Sequence, residues 1–297
     1  MSGEATGKIR IGVSGWQYPP WRGVFYPKKL AQKKELHYCA QVFPSVEING
    51  SFYSLQRPTS YQRWRDETPD DFVFAVKGSR FITHMLKLRN VEVALANFFA
   101  SGLLALGQKL GPILWQFLPN FIFRAEVLES FFKLLPRTMQ QAADLATGHD
   151  RRLAGRAFLE IEIDGPVRHS IEIRHQSFVS EEFIALLRRH GIALVCADAV
   201  EWPLLMDVTA DFVYCRLHGS EVLYASGYDG PALDKWAERV VSWAKGGEAE
   251  GQHGSAKAAP KRATRDVYVY FDNDAKVRAP VDAQGLMERV EKAGISD

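Results

Sequence analysis

The chain has 297 residues, 46% hydrophobic and 24% charged, with a net charge of +2. This is ordinary globular composition with material for a large core, and so small a charge excludes the global basic field of a general nucleic-acid binder. No apolar run reaches membrane-spanning length, residues 1–8 lack the apolar segment of a secretory signal, and Cys39, Cys196 and Cys215 are too widely spaced for a zinc site, reading instead as buried thiols of a cytoplasmic protein.

Strand and helix patterns alternate along the chain. Residues 9–15 form the first expected strand and run into an aromatic loop, 16–27, containing Trp16, Tyr18, Trp21, Phe25 and Tyr26. A helix is expected over 30–43 and a second strand over 45–50. Thr59 offers a cap for a helix ending near Glu67. Residues 72–77 give the third strand, 89–106 one long helix, 111–117 the fourth strand and 124–135 a helix. The connection 136–167 reads as an excursion holding a short helix near 142–146. Its alternating run, 158–164, is the alternative hairpin partner of the next strand. Ser170-Ile171-Glu172-Ile173-Arg174 is the fifth strand by its period of two.

A helix over 181–190 stops at Gly191, and the sixth and seventh strands cover 193–198 and 211–218. A helix over 231–245 begins with Pro231. Residues 246–265 are rich in Gly, Ala and Lys without apolar periodicity, the pattern of a mobile insertion. The eighth strand covers 266–272 and a last helix 281–293. Eight strands separated by helices predict a single (β/α)8 barrel spanning the chain. An open doubly wound sheet is the alternative, but Gly12-Val13-Ser14-Gly15 lacks the spacing of its phosphate loop.

Several stretches, taken in order, resemble the YecE-like family, domain of unknown function 72. They are Gly15-Trp16 with Tyr18 and Trp21, Phe25-Tyr26-Pro27, Val46-Glu47-Ile48-Asn49 with Ser51-Phe52-Tyr53, and Phe74-Ala75-Val76-Lys77 with Thr83-His84. Further along come Gln116-Phe117, Glu172-Ile173-Arg174-His175 with Ser177, Arg216-Leu217-His218-Gly219, and Tyr270-Phe271-Asp272-Asn273. The resemblance runs from about Ile9 to Leu286 and implies a TIM-like barrel; it brings no established reaction. Phe178 stands where the family pattern often has Trp, and Asp272 where it often has Asn.

In a parallel barrel both strand faces are covered, so charges that alternate with Ile, Val and Leu must point inward. Glu47, Glu172, Arg174, Arg216 and His218 are therefore expected inside, with Asn49, and Val46, Ile48, Ile171, Ile173, Cys215 and Leu217 against the helices. The strand ends also offer Lys77, Gln116, Asp198, Asp272 and Asn273. Buried charges must be paired or used. One reading is a self-satisfied ion network: Glu47 with Lys77, Arg174 with Asp198, Arg216 with Asp272. The other is an enzyme performing acid/base chemistry on a small phosphorylated or carboxylated substrate. In it Lys77, Arg174 and Arg216 hold the anion, helped by backbone donors at Gly219-Ser220, and His218, Glu172 and Glu47 move protons.

Three further alternatives remain open. No cofactor is predicted, but Glu47, Glu172, Asp198 and His218 could surround a divalent metal, with His84, His169 and His175 in reserve. Trp16, Tyr53 and the other loop aromatics, with the basic tract Lys257, Lys261, Arg262 and Arg265, suit a metal-dependent nucleic-acid-processing barrel. A non-catalytic ligand-binding module is the third. Oligomeric state has no signature in the sequence.

Overall fold

The computed structural model describes residues 6–219, 223 and 226–294. Eight strands, β1 (Ile9–Ser14), β2 (Ser45–Ile48), β3 (Val73–Lys77), β4 (Leu110–Gln116), β5 (His169–Glu172), β6 (Ala193–Asp198), β7 (Phe212–Leu217) and β8 (Asp266–Phe271), are all parallel. They close into a barrel in sequence order, β8 pairing with β1. Around it lie α1 (Glu35–Val42), α2 (Gly50–Tyr53), α3 (Pro58–Asp66), α4 (Glu92–Ala100), α5 (Ala125–Leu134), α6 (Met139–Ala146), α7 (Glu181–His190), α8 (Gly230–Ala244) and α9 (Arg278–Lys292). The expected (β/α)8 architecture is the observed one.

Alternation along the strands divides the core in two. Val46, Ile48, Ile171, Ile173, Cys215 and Leu217 pack outward with the helices. The lower barrel interior is filled by Val73, Ala75, Leu114, Ala193, Val195, Ala197, Phe212, Tyr214, Tyr268 and Tyr270. Filling a barrel with such side chains makes it a packed core, so ligand chemistry is confined to the strand C-terminal ends.

The β3–β4 pairing contains an irregularity. Phe74 is opposite Leu110, but Val76 is opposite Ile113 and Lys77 opposite Leu114. One extra β4 residue is thus accommodated around Gly111-Pro112, where proline has no N–H for the ladder. Gly111 is required by contact: a Cβ there would lie 2.6 Å from Val73 Cγ1 and 3.0 Å from the Phe74 carbonyl oxygen.

Two helices depart from the sequence reading. The long helix expected over 89–106 is broken at Gly102, whose φ is 115°. A Cβ at Gly102 would sit 2.5 Å from Pro58 Cα, so close packing of α3 demands glycine here. The start of α3 is set by Pro58 at its first turn after an extended Arg57, and not by a Thr59 cap. In the excursion 136–167, α6 is present and the run 158–164 forms no strand of the barrel. The insertion 246–265 contains no helix or strand. Its backbone is nevertheless tied down: Asp207 accepts from the N–H groups of Gly254 at 2.7 Å and Ser255 at 3.2 Å, and Met206 donates to the Gln252 carbonyl at 2.8 Å.

Candidate functional site at the barrel mouth

The upper barrel interior replaces apolar filling with charge. Arg216 on β7 is fully buried and lies among three carboxylates, Glu47 of β2, Glu172 of β5 and Asp272 just past β8. Its Nη1 donates to Glu172 Oε2 at 2.6 Å, and its Nη2 reaches Asp272 Oδ2 at 2.6 Å, Glu47 Oε1 at 3.0 Å and Ser14 Oγ at 3.1 Å. Glu47 is further satisfied by the Ser14 hydroxyl at 2.5 Å and the Tyr214 hydroxyl at 2.6 Å. Arg216 is therefore committed to the protein, and Glu47 serves as its fixed counter-ion below the mouth. The expected Arg216–Asp272 pair is present. The expected Glu47–Lys77 pair is replaced by Glu47–Arg216.

Glu172 also accepts from Nε (2.9 Å) and Nη2 (2.7 Å) of Arg174, which follows the end of β5. The Arg174 guanidinium carbon lies over the Trp202 ring, 3.7 Å from its centroid, a cation–π contact that holds the group in place. His218 is buried with Nδ1 3.2 Å from Asp272 Oδ2 and Nε2 3.7 Å from Glu172 Oε2, its ring edge-on to Trp202 at 5.0 Å. Burial alone would raise the Glu172 pKa, but Arg216 and Arg174 outweigh it and hold the carboxyl well below the ordinary range. For Asp272 burial likewise opposes ionisation, and Arg216 with His218 overcomes it, so its pKa is also depressed.

Lys77 ends β3 on the inward face, 8% exposed, with Nζ 4.5 Å from the centre of the Phe52 ring. Burial, reinforced by the nearby Arg216 charge, lowers its pKa to about 8. His84, edge-on to Phe52 at 5.1 Å with Nδ1 2.8 Å from Thr83 Oγ1, is lowered to about 4 by burial and by Arg174, Lys77 and Arg80. Gln116 shares the inward face of β4. Its Oε1 is buried without a hydrogen-bond partner, as is Asn49 Oδ1, while Asn49 Nδ2 donates to Ser14 Oγ at 2.9 Å. Asn49 and Trp16 line a cleft of ≈ 240 Å³ beside the mouth.

Other expected site residues are elsewhere. Asp198 faces outward, accepting from Trp236 Nε1 of α8 at 3.1 Å, because the inward positions of β6 are Ala193, Val195 and Ala197. An Arg174–Asp198 pair is thereby excluded; Arg174 pairs with Glu172. Asn273 also points outward, donating to Asp282 Oδ2 at 2.8 Å and the Ser226 carbonyl at 2.9 Å. His175 caps the short turn after β5, accepting from the Ser177 N–H at 3.1 Å. His169 is buried between Trp115 Nε1 and the Pro136 carbonyl. Gly219 N–H donates to the Tyr228 hydroxyl at 3.2 Å, and Ser220 lies outside the described residues.

The metal donor set is not assembled, since Asp198 faces α8 and Arg216 stands between Glu47 and Glu172. Among the described residues no group of three His, Cys, Asp or Glu is arranged to hold an ion. The aromatic loop is mostly an anchor: Trp21 and Tyr26 are buried, and Trp16 packs edge-on to Trp64 at 5.4 Å. Tyr53 is 65% exposed at the rim, with Arg80 over its ring. Arg265 does not belong to a solvated basic tract, since it is buried and donates to the Gly247 and Pro260 carbonyls. Trp202, which orients both Arg174 and His218, went unread in the sequence. Its signal is a tryptophan in the loop after a barrel strand, where functional residues gather.

A family model described as "Protein of unknown function DUF72" matches residues 10–296. The chain belongs to the DUF72 family. It is 37% identical over 75 residues to the UPF0759 protein YunF of Bacillus subtilis and 30% identical over 196 residues to the UPF0759 protein YecE of Escherichia coli. These matches cover 25% and 64% of this chain, but 26% and 59% of the relatives, so the chain spans less than two thirds of either one's length. Among solved structures, a DUF72 protein of Thermotoga maritima superposes with a TM-score of 0.73 at 25% identity, covering 96% of this chain and 99% of the other. A DUF72 protein of Enterococcus faecalis gives 0.70 at 16% identity, covering 97% and 96%, and speaks for the fold alone. Among the described residues no helix of this DUF72 chain is long and apolar enough to cross a membrane.

Proposed function

We propose that this DUF72 barrel is an enzyme that performs acid/base chemistry on a small anionic substrate, phosphorylated or carboxylated, at the C-terminal mouth. One observation carries the reading. Two cations at the mouth, Lys77 and Arg174, keep donors that no described residue takes: Lys77 Nζ makes no hydrogen bond, and Arg174 bonds Glu172 only through Nε and Nη2, leaving Nη1. Cations are expensive to bury without acceptors, and an incoming anion supplies them. Arg216, whose Nη1 faces Glu172 and His218 and whose Nη2 faces Glu47, Asp272 and Ser14, holds the site's framework instead of the ligand. His218, paired with Asp272, supplies the acid/base group.

Calorimetric titration with inorganic phosphate tests the proposal. The parent protein should bind, and Arg174→Met should weaken binding at least tenfold while the thermal unfolding transition persists. Equal binding by parent and variant, or none by the parent with phosphate and carboxylate anions alike, would overturn it.

A further inference from the structure

Two lysines of this barrel are equally buried, and they differ in one respect. Lys109 is 8% exposed and its ammonium donates to the Arg65 carbonyl at 2.6 Å, the Thr68 carbonyl at 2.8 Å and Thr68 Oγ1 at 3.3 Å. All three donors of an ammonium are used, as burial of the charge requires. Lys77 is also 8% exposed, yet its Nζ has no hydrogen bond or ion pair among the described residues and rests against the Phe52 ring. Glu47, Asp272 and Glu172 favour a charge on Lys77, but burial and the permanently charged Arg216 outweigh them.

We propose that Lys77 is a nucleophile that condenses with the carbonyl carbon of an anionic aldehyde or ketone to form an imine, with Arg174 Nη1 receiving the anionic group of the same molecule. This rests on the anion-site reading above and names its substrate class. A desolvated amine beside another cation is a recognised way to activate lysine. With a pKa of about 8, roughly a quarter of Lys77 is the neutral amine at pH 7.5, against about one in a thousand for an ordinary lysine.

The amine lone pair attacks the carbonyl carbon, and the C=O π pair moves to oxygen, which takes up a proton as nitrogen loses one. The nitrogen lone pair then forms C=N as the C–O bond breaks; the hydroxyl takes up a second proton and leaves as water, and the nitrogen gives up its remaining N–H proton to leave the neutral imine. The balance is one amine plus one carbonyl compound giving one imine plus one water. Proton carriers are at the same mouth. His84, kept neutral, shares the Phe52 wall with Lys77, and the His218–Asp272 pair borders the Arg216 cluster.

Trapping by cyanoborohydride decides the matter in the parent protein. Dihydroxyacetone phosphate and pyruvate serve as anionic carbonyl probes and unphosphorylated dihydroxyacetone as the neutral control. Peptide mapping should find a saturable single adduct on Lys77, suppressed by inorganic phosphate, with a rate that rises with pH through a midpoint near 8. Arg174→Met should need at least tenfold more of the anionic probes but the same dihydroxyacetone, and Lys77→Met should lose the adduct. If neither anionic probe labels Lys77 faster than the exposed Lys28, the imine proposal is overturned. Retained calorimetric phosphate binding would then leave the anion site standing, whereas loss of both would sink both.

Discussion

Arg216 Nη1 and Glu172 Oε2 meet at 2.6 Å with both side chains fully buried, although their strands, β7 and β5, are not neighbours. The intervening strand places Ala197 beside Arg216, and a methyl group leaves the space through which the two reach each other. An ion pair spanning a strand in this way makes the interior charge cluster one cooperative object, with Glu47, Glu172 and Asp272 all dependent on one guanidinium.

Removing that guanidinium is therefore a stability experiment before it is a binding one. Arg216→Met should cost about 3–5 kcal/mol, because three buried carboxylates lose their common partner. Denaturant unfolding at pH 7 measures it. A cost under 1 kcal/mol would show that the cluster is not held by Arg216, and would restore this residue as a candidate for ligand binding alone.

Lys77 should behave in the opposite sense. Its folded pKa is depressed to about 8, so between pH 8 and the ordinary lysine value the unfolded chain binds more protons than the folded one. Stability contributed through this group therefore rises with pH across that window, and below it the buried ammonium costs about 3 kcal/mol. Lys77→Met should be more stable than the parent at pH 7, with the advantage fading by pH 10. A variant less stable at pH 7 would mean the ammonium is well solvated where it sits.

Glu172 titrates at the acid end. Its folded pKa is depressed, so its contribution is complete above the unfolded value near 4 and is lost as pH falls through the folded one. Glu172→Gln should be less stable than the parent at pH 7 by about 2–4 kcal/mol and should show a shallower decline below pH 4. Unfolding curves collected from pH 7 to pH 2 would expose a parallel decline, which would assign the acid limb to other carboxylates.

Asp198 and Arg174 separate packing from binding. Asp198→Ala removes an acceptor for the α8 Trp236 indole and should cost about 1 kcal/mol without changing phosphate affinity. Arg174→Met should do the reverse, since Glu172 keeps Arg216. Thermal shift and phosphate titration on the same two proteins distinguish the roles, and loss of phosphate binding in Asp198→Ala would contradict the outward placement.

The barrel and its inward charges were legible because Glu47, Glu172, Arg216 and His218 alternate with large apolar residues, and only one facing satisfies both sets. Asp198 was misread because β6 is apolar on both faces, leaving no alternation to fix which side its last residue takes. Asn273 follows Asp272 directly, so the two point to opposite sides and only Asp272 reaches the mouth. The Glu47–Arg216 and Glu172–Arg216 pairings skip strands, so neighbour rules could not find them. Trp202 sits in a loop without periodicity, and its contacts exist only after closure of the barrel.

The irregularity at Gly111-Pro112 acts as a parity switch. Leu110 faces outward with Phe74, and strict alternation from there would carry Ile113 and Trp115 into the barrel and Gln116 out among the helices. The extra residue inverts the sequence, so Trp115 instead packs with Phe98 and Phe131 while Leu114 and Gln116 turn inward. Which residues of β4 are scaffold and which are mouth is thus decided by one backbone position far below either. Pairing β4 straight at its full length would touch no mouth side chain, yet it would drive an indole into the space where Arg216 and its carboxylates now meet, whereas deleting the surplus residue would leave Trp115 outward and Gln116 inward.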